Sequence, residues 1–199
     1  IGAKSKEDAL KYVHVGSVCG YCGEYLPLAN DLVCSKTFDD RVGCFQLIEA
    51  LRENDGTYPN DIYYVFTVQE EVGCRGSKTT AAFIKPDIGI AVDVTPAHDY
   101  PCDLTGSNAI GEGIGIKVED VIAVMEQCCR HKDIPFQYEV IDKGGCDASS
   151  MNLSNFGVRS GGISVVTRYA HCSSSVISKE DAESGIRLCT AFSKYEFQF

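Results

Sequence analysis

The sequence has no apolar run long enough to cross a bilayer and no basic stripe that would meet phosphates. Its 18 basic and 28 acidic residues leave a net charge of −10. Nucleic acid and anionic membrane are therefore excluded as expected partners. No internal repeat, low-complexity tract or secretory signal is visible. A disulfide framework is missing as well. The eleven cysteines are an odd number, and Cys44, Cys74, Cys128, Cys129 and Cys189 fall at helix or turn positions, where thiols act as small core hydrophobes. That usage points to a reducing, cytoplasmic compartment. Cys19-Gly20-Tyr21-Cys22 has redox or zinc-knuckle spacing, but no second such pair exists, and Gly20, Gly23 and Pro27 surround it. The first residue is Ile1 rather than Met, so the natural start is expected upstream.

What is present suits a globular enzyme. The 199 residues, 44% hydrophobic and 23% charged, are enough for one domain with a real core, or one domain plus part of another. Ser5, with Asp8 three residues on, predicts a helix start. Residues 12–18 alternate like a strand, and 20–36 read as irregular. A helix follows over 39–54, with Phe45, Ile48 and Leu51 on one face. The aromatic and β-branched run 61–68 reads as a buried strand. Further strands are expected at 88–94, 113–118, 136–141 and 158–166. Helices are expected near 77–84, at 119–131 and at 147–155, and a last one capped by Ser178. Residues 95–112 read as loop. Strands alternating with helices imply an α/β fold, a three-layer sandwich around a mixed, largely parallel sheet. Ligand sites in such folds gather at the carboxyl ends of strands.

Several acidic groups and one imidazole meet that rule. Glu70 and Glu71 follow the run at 61–68, in a Gln69-Glu70-Glu71-Val72-Gly73 turn. Adjacent carboxylates repel and need a cation or a shared proton. Asp93 interrupts an apolar strand, which is costly for an unpaired carboxylate. His171 follows the strand at 158–166. Asp39 precedes a helix, whose dipole favours negative charge. Mostly oxygen ligands with one imidazole suit zinc, cobalt or manganese. A carboxylate bridging two metals would activate water, and a glutamate outside the coordination shell would move the proton. Plainer readings exist: Asp39 and Asp147 as helix caps, and His171 as a surface histidine like His14, His98 and His131.

Five motifs occur in order: Phe38-Asp39-Asp40-Arg41-Val42-Gly43, Gln69 to Gly76, Asp93-Val94-Thr95-Pro96, Asp142 to Ala148, and Thr167-Arg168-Tyr169-Ala170-His171. Together they resemble the glutamyl and tetrahedral aminopeptidases of peptidase family M42, through nearly the whole chain. The resemblance implies a zinc-peptidase-like fold in which residues 1–36 are the end of an inserted β-rich domain. Residues 37–199 would be the catalytic domain without its first part. It implies that Asp39 bridges two divalent ions, zinc or cobalt, and that Glu71 and His171 hold the first ion while Asp93 holds the second. Glu70 is then the general base, and Asp40 a supporting residue joined to Asp39 by a cis peptide. It further implies cleavage of amino-terminal residues from short peptides and homo-oligomeric assembly. The family's early His-x-Asp is absent here, so the second metal would keep only Asp39 and Asp93. Weak or no activity of this chain alone is the corresponding expectation.

Overall fold

The computed structural model describes residues 1–102, 105–141 and 144–198. The motif residues Asp142 and Lys143, and positions 103 and 104 of the 95–112 loop, lie outside them. Ser5 accepts the Asp8 amide at 3.2 Å and opens the short helix α1 (Lys6–Ala9), as the capping pattern predicts. Residues 12–18 form turns rather than a strand. Neither side of their alternation is covered, with Val15 88% and Val18 97% exposed.

The sheet is built around β6 (Arg159–Arg168), where the apolar run Ile163-Ser164-Val165-Val166 is buried on both faces. Along one edge β3 (Ile88–Pro96) pairs with it in parallel, from Ile88 opposite Arg159 to Pro96 opposite Thr167. This is the longest ladder in a mixed sheet. On the other edge β4 (Ile114–Lys117) pairs antiparallel to β6, and β5 (Phe136–Glu139) lies parallel beyond it. β7 (Ser175–Ser178) meets the end of β6 antiparallel at Thr167 and Arg168. It continues into β2 (Leu32–Ser35) and β1 (Leu26–Pro27). The stretch expected to be irregular thus holds a hairpin that β7 ties to the sheet.

Helices cover both faces. On one side α2 (Phe38–Arg52), α4 (Ile122–His131) and α6 (Lys179–Ser193) close over Ile114, Ile116, Ile163, Met125 and Leu188. On the other, α5 (Asp147–Asn152) packs over Ala91, and α3 (Arg75–Ile84) packs against α5. Strand alternation divides β3 between the two layers. Ile88, Ile90, Val92 and Val94 join the larger core, while Ala91 packs with Cys146 and Ala148.

Two apolar patterns resolve differently from their sequence reading. Residues 61–68 form no ladder among the described residues. Tyr64 packs on the core, but Tyr63 and Val68 are mostly exposed. A strand needs a neighbour to satisfy its backbone, and β-type residues alone do not supply one. The buried face of α2 is Val42, Gly43, Gln46 and Ala50, whereas Phe45, Ile48 and Leu51 are nearly half exposed. No helix among the described residues is long and apolar enough to cross a membrane.

Candidate metal centre

The carboxyl ends of β3 and β6, the start of α2 and the turn before α3 meet at one rim. At the start of α2 the backbone is not yet helical: Asp39 has φ −80°, ψ 109° and Asp40 φ −116°, ψ 54°, with a cis peptide between them. Asp40 Oδ1 accepts the Gly43 amide at 3.0 Å and so caps the regular part of the helix. Position 43 admits only glycine in this arrangement, because a Cβ there would lie 2.4 Å from the Asp40 carboxylate.

The Gln69–Arg75 turn is sewn together by its own backbone. The Gly73 and Cys74 amides donate to Glu70 O, and the Arg75 amide donates to Gln69 O. The Gly76 amide donates to Val68 O at 3.0 Å. A Cβ on Gly76 would meet the Val68 backbone at 2.6 Å, so close approach requires glycine there too. Gln69 and Cys74 hold left-handed φ values of 59° and 50°, uncommon for residues with a Cβ.

From these elements and the loop after β6, three side chains converge. His171 Nε2 lies 3.2 Å from Asp39 Oδ2 and 3.4 Å from Glu71 Oε2. All three ligand atoms fall within 4.8 Å of one another. One imidazole and two carboxylates at that spacing are a donor set that could hold a divalent cation. Asp93 and Asp40 stand beside this trio rather than in it. Asp93 Oδ1 accepts the Val94 amide at 2.7 Å. Burial, then the charge of Asp39, pushes its carboxyl up to about 7. Burial and the nearby Asp93 push Asp40 up to about 9, and burial with Glu71 pushes Asp39 up to about 6. A rim on which Asp39, Asp40 and Asp93 all resist ionisation is one that a cation stabilises.

Glu70 stands beside the trio, within electrostatic reach of Glu71 and His171. Its Oε1 accepts the Cys74 thiol at 3.3 Å, and burial raises its proton affinity. Glu70, Cys74 and Asp147 also place ligand atoms within 4.8 Å of one another. Asp147, read from sequence as a helix cap, accepts the Thr67 and Ser77 hydroxyls at 2.7 and 2.6 Å instead. The part played by Cys74 was missed, although it lies four residues after Glu70 in the same turn.

A parallel-centred α/β sheet with an acid-rich rim at its strand ends is an architecture whose solved relatives include aminopeptidases. The chain belongs to the M42 glutamyl aminopeptidase family, whose model matches residues 1–188. It is 42% identical over 196 residues to a putative aminopeptidase of Acetivibrio thermocellus, across 94% of this chain and 59% of that protein. The aminopeptidase APDkam598 of the archaeon Desulfurococcus kamchatkensis superposes with a TM-score of 0.86 at 35% identity, over 97% of this chain and 57% of its own. The TET1 peptidase of Pyrococcus horikoshii, described as assembling into a tetrahedron or a large octahedral shell, gives 0.83 at 28%, over 99% and 60%. The chain thus spans about three fifths of the relatives that it matches.

Proposed function

We propose that this chain carries the hydrolytic centre of a metal-dependent aminopeptidase, with a divalent ion held by Asp39, Glu71 and His171. The observation that carries this reading is the convergence of three ligand atoms from separate elements in a member of the M42 family. Three protein ligands with an open position are the pattern of catalytic zinc, and cobalt suits the same set. When bound, such an ion polarises a peptide carbonyl as a Lewis acid. Glu70 takes a proton from the attacking water and passes it to the departing amine, a task suited to a carboxyl whose proton affinity is raised. Asp40 supports the start of α2 through the Gly43 amide. Asp39 and Asp93 form the beginning of a second cation position. The substrate class is short peptides with a free amino terminus, and the shells described for the TET1 relative support a homo-oligomer. The unbridged thiols of the buried Cys128, Cys129 and Cys189 support a reducing, cytoplasmic setting.

A second reading is a metal-binding subunit with little turnover of its own. It is favoured by the second position, to which the rim brings Asp39 and Asp93, while the sequence's His131-Lys132-Asp133 lies at the end of α4 instead. One experiment separates the two. Metal-stripped protein is titrated with zinc or cobalt and assayed on a panel of aminoacyl chromogenic substrates. Uptake near one equivalent, lost in His171→Ala, with weak turnover abolished by Glu70→Gln, is the expected result. Uptake without turnover selects the second reading. Failure to bind either metal, or turnover that survives Glu70→Gln, overturns the first.

A further inference from the structure

The segment that carries His171 raises a question of its own. β6 ends at Arg168, and the next residues include Tyr169 at φ 61° and His171 at φ 59°. Two side-chain-bearing residues in the left-handed region are costly and persist only where the surroundings over-determine them. His171 itself is largely exposed, and its ion-pair partners among the described residues are Asp39 and Glu71, the groups that it would share a cation with. Its position must therefore be fixed from elsewhere.

We propose that Asp99, Tyr100 and Arg168 form a clamp that positions His171 for metal binding, resting on the reading of His171 as a ligand. Arg168 Nε and Nη2 grip the two oxygens of Asp99 at 2.9 and 2.6 Å, the planar fork that binds a carboxylate most specifically. Asp99 is pinned in turn by the Ile110 amide at 3.2 Å. Tyr100 Oη accepts the Tyr169 amide at 3.4 Å, and the two rings stack edge to face with centroids 4.9 Å apart. The Ala97 amide donates to Thr167 O at 2.9 Å and carries the β3–β6 pairing past the end of the ladder. The clamp thus joins the loop after β3, the strand of Asp93, to the turn after β6 that bears His171. An isolated surface pair contributes little, but this one is two-pronged, its side chains are 30% and 22% exposed, and further hydrogen bonds join the same two segments. The Arg168 hydrogen bonds also hold the Asp99 carboxyl below the usual range, so the pair is fully charged at neutral pH.

The test uses the full chain, zinc in competition with a chromogenic chelator, and cobalt(II) absorption as a report on ligand geometry. Asp99→Asn and Arg168→Lys, which keeps the charge but not the fork, are each expected to weaken zinc binding about tenfold, at the low end for groups that orient a ligand. The double variant is expected to be little worse than either single one, and the cobalt bands are expected to shift. Tyr100→Phe gives a smaller change in the same direction and serves if the charge variants do not fold. Zinc affinity and cobalt spectrum unchanged in all three, while His171→Ala weakens binding, overturns the clamp and leaves the metal site standing. Zinc binding unaffected by His171→Ala overturns the site and the clamp together.

Discussion

α2 and α6 are both fifteen-residue helices, packed against each other on one face of the sheet, yet they are built for different purposes. α6 begins on Ser178, whose hydroxyl accepts the Asp181 amide at 3.3 Å, and it buries eight of its residues. α2 begins on Thr37 at φ 56°, with no side-chain cap, passes through two non-helical aspartates, and buries four. What α2 gives up in regularity it returns as chemistry, since Asp39 and Asp40 face the rim from the irregular turn. Stability and site geometry are drawn from opposite helices of the same layer. That division is common where function needs strained or repelling groups.

The largest effect that would sharpen this contrast is the pH response of the metal-free protein. Asp39, Asp93 and Asp40 have folded-state values of about 6, 7 and 9, all above the 3.8 of a free aspartate. A raised folded-state value means the unfolded chain releases its protons first, so stability is greatest below pH 4 on this account and falls as pH rises toward 9. α6 contributes Asp181, pushed by burial to about 6 against the Gly111 and Gly113 amides that donate to it. Saturating zinc is expected to flatten the upper part of the profile and leave the Asp181 part, as urea unfolding at several pH values will show. A profile unchanged by zinc would remove the cation from the account.

Next in size is Leu188→Ala in α6, at a fully buried position. It is expected to cost about 2–5 kcal/mol of unfolding free energy. Asp39→Asn comes third and acts in opposite directions on the two properties. Removing one of several repelling carboxylates should raise the melting temperature of the metal-free protein by a few degrees, roughly 1 kcal/mol or less, while zinc affinity falls at least about tenfold. Calorimetry with and without zinc reads both. Ser178→Ala should cost about 1 kcal/mol, while Thr37→Ala, with no cap bond to lose, costs close to zero. Smallest is Leu51→Ala, at a position 47% exposed, expected to stay within about 0.5 kcal/mol. A cost comparable to that of Leu188→Ala would show that the outer face of α2 is covered in solution.

The candidate site was legible because its residues break local patterns. Asp93 interrupts an apolar strand, and Glu70 with Glu71 puts two like charges at a turn; physics marks both without a structure. The helix starts at Ser5 and Ser178 were legible for a similar reason, since a capping hydroxyl and its acidic partner lie within four residues. The buried face of α2 was not. Its contact with α6 runs through Gln46, whose amide donates to Ala182 O at 2.9 Å, and through Gly185, where a Cβ would meet that amide at 2.0 Å. Close helix packing selects small and satisfied polar residues, and a hydrophobic-periodicity reading passes over them to Phe45, Ile48 and Leu51. Residues 12–18 and 61–68 failed for the complementary reason: alternation describes a strand's two faces but not whether a neighbour exists to pair with it.

Sequence alone determined most of the alternation of strands and helices from α3 to α6, the chemistry available at the strand ends, and the family pattern that links five short motifs. Those are properties of neighbours along the chain, where propensity, capping and charge repulsion act. Only the tertiary structure decided that Asp39, Glu71 and His171 come within ligand distance of one another while Glu70 turns to Cys74 and Asp147. It alone made Asp99 and Arg168, sixty-nine positions apart, a single grip on the turn that holds His171. Such distances are set by the register of β3 against β6 and by which groups burial desolvates, and neither is a local quantity.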